Sequence, residues 1–273
     1  MDEDHLREFQ HAVLGYYQAH GRHALPWRQP GAGGYDPYSI LVSEIMLQQT
    51  QVQRVIPKYA EFLAAFPDCK ALAAAPLGQV LQVWSGLGYN RRAKFLWQAA
   101  GQVVRQHGGE VPRTSAELVQ LPGVGPNTAG AVLAYAYNMP AVFVETNIRT
   151  VFIHHFFAGQ QGVPDRGILE LVARTLPDNA REWYWALMDY GSHLKRARGN
   201  LNKLSKHYTV QPRFAGSKRQ VRGQVLKLLA AGQQPFAELS RQVPDMRLPQ
   251  VLADLIAEGL VEEARSRYKL PGA

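Results

Sequence analysis

A single cysteine, Cys69, stands among 273 residues. One thiol allows no internal disulfide and no iron–sulfur cluster, which takes four thiolates. The histidines show no HExxH or similar metal spacing. His154 and His155 are adjacent, and neighbours on a helix point in different directions, so packing or surface roles are expected of them. No uninterrupted apolar run is long enough to cross a bilayer. The acidic start, Met1-Asp2-Glu3-Asp4, lacks the charged-then-apolar layout of a secretion signal. Internal repeats and low-complexity tracts are missing too. These absences predict a soluble, cytoplasmic protein, associated with the nucleoid if its source is bacterial, with no metal and no membrane partner. A 46% share of hydrophobic residues provides for a sizeable core in one or two domains.

Positive charge is plentiful: 30 Lys and Arg stand against 22 Asp and Glu, a formal +8. The excess is concentrated. Lys195, Arg196, Arg198, Lys203, Lys206, Arg213, Lys218, Arg219 and Arg222 follow one another with no acid between them. Such a stretch repels itself unless solvent or a polyanion screens it, and DNA is the simplest polyanionic partner.

The apolar pattern is helical almost throughout, so the expected class is mainly α. Leu6, Phe9, Val13 and Tyr16-Tyr17 recur at helix spacing, and a second helical segment runs from Ile40 through Ser43-Glu44 and Leu47 to Thr50-Gln51. Pro57, Pro67, the glycines at 86–88 and 108–109, the run 122–125 and Pro140 are expected breaks. After the basic segment come three amphipathic helices, the last carrying Leu248, Val251, Leu252, Leu255 and Ile256. Residues 259–270 then read as two short strands around a charged turn. This order describes a winged-helix-like unit over 216–273, a module that reads DNA, binds protein or simply packs.

Three motifs carry chemistry. In Leu121-Pro122-Gly123-Val124-Gly125-Pro126-Asn127-Thr128-Ala129-Gly130 a helix ends, a glycine-rich hairpin follows and a new helix begins. The glycines permit positive φ and close approach, and amides at the new helix N-terminus suit a DNA phosphate. In Ser43-Glu44-Ile45-Met46-Leu47-Gln48-Gln49, Glu44 sits among apolar residues, where burial raises a carboxyl pKa and retains a proton. Gln48 is expected one turn later on the same helix face, with Gln49 beside it. In Phe143-Val144-Glu145-Thr146-Asn147-Ile148-Arg149, Glu145 precedes a helix that Thr146 or Asn147 can cap, with Arg149 available as an ion-pair partner. Cleaving a glycosidic bond requires protonation of the leaving group and stabilisation of a cationic sugar, a task for two carboxylates in different environments.

Residues from about Leu25 to Gly191 resemble the mismatch-specific adenine DNA glycosylases, and more distantly endonuclease III, of the helix-hairpin-helix superfamily. The resemblance is carried by Leu25-Pro26-Trp27, Ser43-Glu44, 46–52, Trp84-Ser85-Gly86-Leu87-Gly88-Tyr89, the 121–130 hairpin and Met188-Asp189-Tyr190-Gly191. It implies a discontinuous helical domain of 1–27 plus 141–212, a helical domain of 28–140 with the hairpin, and a cleft between them. Glu44 then protonates the departing purine, and Glu145 stabilises the sugar cation. Gln48 and Gln49 enter the gap in the duplex, and Tyr89 is the wedge. Leu25, Trp27, Arg28 and Asn127 complete the base pocket. Gly123, Val124, Gly125, Asn127, Thr128, Arg149, Lys195, Arg196 and Lys206 hold the DNA backbone, and the 121–126 hairpin offers a place for a monovalent cation.

Asn127 stands where bifunctional relatives carry a sugar-attacking lysine, which implies hydrolysis without strand cleavage. The chain departs from the family in three places. Glu145 replaces the usual aspartate; residues 194–208 lack the four cluster cysteines; and the winged-helix-like unit stands where relatives carry a domain that inspects oxidised guanine. The expectation is a monomeric, monofunctional glycosylase acting on duplex DNA with a mispaired or damaged base, adenine in a mispair being favoured. Uracil or thymine opposite guanine, a deaminated purine, a bifunctional lyase using another lysine, and an inactive DNA-binding protein on the same scaffold are the alternatives.

Overall fold

The computed structural model describes residues 3–272; Met1 and Asp2 of the acidic start, and Ala273, lie outside them. Its helices are α1 (Glu3–His20), α2 (Pro37–Leu47), α3 (Val52–Ala65), α4 (Cys69–Ala74), α5 (Leu77–Trp84), α6 (Arg91–His107) and α7 (Ser115–Leu118), followed by α8 (Pro126–Tyr137), α9 (Thr146–Phe156), α10 (Asp165–Thr175), α11 (Ala180–Arg198), α12 (Lys218–Ala231), α13 (Phe236–Gln242) and α14 (Leu248–Ala257). Strands β1 (Gln234–Pro235), β2 (Glu262–Ala264) and β3 (Arg267–Lys269) form a small antiparallel sheet in the order β1-β3-β2. The mainly helical class is as expected. No helix of the described residues is long and apolar enough to cross a membrane.

Two expected boundaries are corrected. Pro57 lies inside α3 rather than ending it. The proline is exposed, so the carbonyl it leaves unpaired meets water, while buried Val55, Tyr59 and Phe62 hold the opposite face. The second helix stops at Leu47, and Gln48-Gln49 form a turn beyond it.

Close contacts divide the chain into two compact units. The first comprises residues up to Leu41, Arg113–Val119 and Val124–Val210; the second comprises Val42–Pro112, Gln120–Gly123 and the chain from Gln211 onward. In the first unit α1 packs on α11, and α11 on α9 and α8. The buried stripe Leu6, Phe9, Val13 and Tyr17 explains the α1 contact, with Phe9 set edge-on to Trp183 at 5.7 Å. His155 belongs to this packing: its ring lies 5.0 Å from that of Phe9, and Nε2 is 3.1 Å from the Tyr190 hydroxyl. Burial, with His154 and His5 nearby, pulls its pKa down to about 4.

The stretch without cluster cysteines also belongs to the first unit, and its shape comes from hydrogen bonds. Val163 N–H donates to the Leu204 carbonyl at 2.9 Å, and Lys206 N–H donates to Val163 at 3.0 Å. Asn202 Nδ2 donates to Thr150 Oγ1 at 2.7 Å and to the Thr146 carbonyl at 3.2 Å, tying the segment to the start of α9. One cysteine cannot hold a cluster here, and a buried asparagine serves as the tie instead.

In the second unit α6 packs on α4 and α5, and α12 packs on α5 and α14. Residues after Gln211 are anchored through Gly78 N–H to the Pro271 carbonyl (2.7 Å) and Gln82 Nε2 to Ala230 (3.3 Å). Arg265 and Ser266 both adopt positive φ, as a two-residue hairpin between β2 and β3 requires. Strand β1 adds a third member to the anticipated pair; two residues, one of them proline, give no period to detect. The basic stretch is less bare than it looks in the sequence. Lys218 pairs with Asp254, and Arg222 meets Glu258 at 2.6 Å, so acids further down the chain neutralise two of its cations.

Replacing Asn202 by Ala removes two buried hydrogen bonds and is expected to lower stability by about 1–3 kcal/mol in urea unfolding. An unchanged midpoint would show that packing alone holds the segment.

Candidate functional site

In the second unit the site grows from the end of α2. Glu44 is half-buried in the helix between fully buried Ser43 and Ile45. A helix end leaves carbonyls without partners, and here one side chain supplies them. Arg92, in the first turn of α6, donates through Nη1 to the carbonyls of Ile45 (2.7 Å), Met46 (2.8 Å) and Gln48 (2.6 Å). Its Nη2 donates to Thr50 Oγ1 at 2.9 Å and to the Gly88 carbonyl at 3.1 Å. The guanidinium carbon lies 5.3 Å from the Trp84 ring and 5.4 Å from the Tyr89 ring. Burial brings its pKa down to about 10, still far enough up to keep the charge at neutrality.

Two of those carbonyls immediately precede residues in the left-handed region, Gln49 (φ 56) and Tyr89 (φ 48). A side chain with a Cβ costs about 1–2 kcal/mol there, and such strain persists only where the surroundings over-determine it. Arg92 grips the peptide ahead of each. Gln49 is exposed in a turn rather than placed on the helix, and Tyr89 is 37% exposed. The residues expected to enter the duplex are thus brought together in two strained turns that share one clamp.

At the hairpin, the Thr114 side chain caps α7 by accepting from Glu117 N–H, and Pro126 opens α8. Gly123 has φ 79, and a Cβ there would lie 2.8 Å from the Phe95 Cβ, so conformation and space both demand glycine. The Val124 side chain is buried, Gly125 and Asn127 are exposed, and Thr128 is half-buried. The first turn of α8 has amides that the helix itself leaves unpaired.

In the first unit, a strap between α8 and α9 positions Glu145. The Tyr184 hydroxyl donates to the Ala141 carbonyl. Phe143 stacks on Tyr184 at 4.2 Å, over Gly130, where a Cβ would come within 2.6 Å of its ring. Glu145 is extended and itself occupies the N-cap position of α9, without a side-chain cap bond; Thr146 and Asn147 already lie in the helix. The residue keeps partial exposure, yet its Oε1 is enclosed with no hydrogen-bond partner. Burial pushes the carboxyl up to about 7, against the opposing pull of Arg149, an Asn147 side-chain hydrogen bond and Arg22.

Arg149 is engaged elsewhere: Nε and Nη2 each hold Asp165 at 2.7 Å. A bidentate ion pair therefore occupies Nε and Nη2, while the guanidinium still draws the Glu145 carboxyl towards its charged form. The Arg28 side chain is 4% exposed and forks onto Asp189 at 2.8 and 3.0 Å, beside buried Leu25 and Trp27. Arg22 adds its backbone N–H and its Nε to the same carboxylate, both at 2.7 Å. Burial alone would raise the Asp189 pKa, but these guanidiniums hold it below the usual carboxylate range. Lys195, Arg196 and Lys206 are exposed, the first two in the last turn of α11, where the dipole favours cations.

Arg92 and Asp189 are the residues that sequence reasoning missed. Asp189 stands in Met188-Asp189-Tyr190-Gly191, directly after a methionine and before a tyrosine. Arg92 gave only the signal of a cation at the start of an otherwise apolar helix face. Gly191 explains the end of that same motif, since a Cβ there would lie 2.3 Å from the Asn147 carbonyl oxygen. Glu44 lies in the second unit and Glu145 in the first. Among the described residues, no group of three His, Cys, Asp or Glu side chains could hold a metal ion.

Comparison with known proteins bears on this geometry. Residues 42–173 match the model of the HhH-GPD superfamily base excision DNA repair proteins. The chain is 34% identical over 283 residues to an adenine DNA glycosylase of Mycolicibacterium smegmatis (strain ATCC 700084 / mc(2)155), covering 95% of each. Among solved structures, a thermostable thymine-DNA glycosylase superposes with a TM-score of 0.62 at 26% identity, over 75% of this chain and 97% of that one. A non-covalent endonuclease III–DNA complex shares the fold, with a TM-score of 0.61 at 19% identity, over 74% of this chain and 91% of that one.

Two outcomes are expected. Arg92→Lys keeps the charge but loses the fork, and should cost at least about 2 kcal/mol of stability in denaturant unfolding; a neutral result would show that the turns hold without the clamp. Glu145 has a folded pKa above its unfolded one, so its ionisation opposes folding, and stability falls as pH rises from the unfolded value through about 7. Glu145→Gln should flatten the melting temperature across that window. Parallel curves for the two proteins would contradict the burial argument.

Proposed function

We infer that this chain, which belongs to the HhH-GPD superfamily of base excision DNA repair proteins and is a DNA glycosylase hydrolysing N-glycosyl bonds, removes adenine from a mispair in double-stranded DNA. The observation that carries the choice of base is the 34% identity to an adenine DNA glycosylase along 95% of both chains. The local geometry supports the chemistry. Tyr89 enters the base stack and Gln48 and Gln49 fill the gap, each from a turn whose strain is already met before DNA arrives. Extruding a base costs a few kcal/mol, least for a mispair, which favours such sites.

Glu44 donates a proton to the leaving purine as the bond from C1′ to the base nitrogen breaks. Glu145, ionised beside the developing sugar cation, stabilises it and takes a proton from the water that adds to C1′. Asn127 cannot form a Schiff base, so the products are free adenine and an abasic site with the strand intact. Amides at 123–128 seat a phosphate, and Lys195, Arg196 and Lys206 add backbone contacts. Helices α12, α13 and α14 with the β2–β3 hairpin follow a winged-helix order and extend the DNA surface. A second reading, thymine or uracil opposite guanine, is favoured by the match to the thymine-DNA glycosylase.

The test is base release from duplexes carrying adenine opposite guanine or 8-oxoguanine, thymine or uracil opposite guanine, and hypoxanthine opposite thymine. Adenine release is expected, with strand breaks only after alkali, and Glu44→Gln should slow it by about 100-fold or more. The rate should climb with pH through about 7 as Glu145 ionises. Release of thymine or uracil alone would establish the second reading, and no release from any duplex would defeat both.

A further inference from the structure

The two strained turns have a second set of partners, from the segment that leads into α12. Arg219 Nη1 donates to the Tyr89 hydroxyl at 2.6 Å, and its guanidinium carbon lies 5.8 Å from the Tyr89 ring and 6.0 Å from the Phe214 ring. Gln211 Nε2 donates to Gln49 Oε1 at 2.8 Å and also to the Tyr89 hydroxyl. The segment is itself closed into a loop: Arg219 Nη2 donates to the Pro212 carbonyl at 2.6 Å, and Gly216 N–H donates to Gln220 Oε1 at 2.7 Å. Its neighbours Lys218 and Arg222 are occupied by Asp254 and Glu258, whereas Arg219 is turned onto the tyrosine.

These bonds lie largely in solvent, where one contact adds little to the stability of the fold. Their convergence on Tyr89 and Gln49 calls for another account. An exposed tyrosine on a turn samples several rotamers, and a side chain that must enter a base stack loses that freedom on binding. A charge-assisted bond to the phenol, joined to a glutamine that bridges Tyr89 and Gln49, meets that cost in advance.

We propose that Arg219 and Gln211 are positioning residues that preset Tyr89 and Gln49 for entry into DNA, which makes the 211–219 segment part of the lesion-opening apparatus. This rests on the reading of Tyr89 as the wedge. The segment acts through the phenol hydroxyl, and Phe214, 58% exposed, backs the guanidinium. Sequence relatives with a different C-terminal part would have to steady the wedge by other means.

The experiment is a double-mutant cycle in the full-length protein: wild type, Tyr89→Phe, Arg219→Met and the pair, with Tyr89→Ala as a reference. Base opening is read by 2-aminopurine fluorescence next to the target adenine, and chemistry by single-turnover release. Arg219→Met should slow opening by about fivefold in the wild-type background, the scale of one hydrogen bond made in solvent. Most of that loss should vanish in the Tyr89→Phe background, Arg219→Lys should partly restore the rate, and the salt dependence of DNA binding should stay constant. An Arg219→Met effect of equal size in both backgrounds, with the salt slope reduced by about one, would make Arg219 a phosphate contact and overturn the proposal. No effect of Arg219→Met would overturn it too. If Tyr89→Ala leaves opening unchanged, the wedge reading fails as well; coupling absent while Tyr89→Ala is impaired defeats the positioning claim alone.

Discussion

The grip of Arg92 on five oxygens is the constraint from which the second unit's site follows. An α-helix that stops abruptly leaves carbonyls facing inward, and a buried guanidinium is unwelcome unless its donors are met. The two terminal nitrogens and the open carbonyls answer each other, while Arg92 Nε stays enclosed without a partner. Ile45, Met46 and Gln48 offer acceptors at the end of α2, and Arg92 offers a planar fork at the start of α6. Because the same fork reaches Gly88, the end of α2 and the turn after α5 are held as one object. A lysine could satisfy the charge but not the geometry, which makes the residue type as constrained as the position.

The first unit shows how environment divides the work of acids. Asp189 and Glu145 both sit in low-dielectric surroundings, which disfavour their ionised forms. Asp189 faces two guanidiniums that overcome this, so its charge is permanent and structural. At Glu145 the opposing Arg149 is also held by Asp165, and burial prevails. The carboxyl whose pKa burial raises is the one whose cation has another partner.

Much of the fold was legible because its signals are local. Leu6, Phe9, Val13 and Tyr17 repeat at helical spacing, and Pro126 and Gly123 mark the hairpin through conformations that few other residues adopt. The motifs around Glu44, Tyr89 and Glu145 were visible as residues in order. What escaped was tertiary. The partner of Arg149, Asp165, lies 16 positions away, and the partner of Arg28, Asp189, lies 161 positions away. The end of α2 was placed too late because Gln48-Gln49-Thr50 carry no glycine or proline; the turn is imposed by Arg92, 44 residues beyond Gln48. Pro57 shows the reverse error, a strong local signal overruled by an apolar face that packs regardless.

The asparagine tie at Asn202 has a consequence for how this enzyme lives. A segment fastened by an amide needs no iron and no sulfide to reach its shape. Residues 194–208 hold no cysteine through which a cluster could be gained or lost. A stretch tied to α9 in this way keeps its shape whatever the supply of iron.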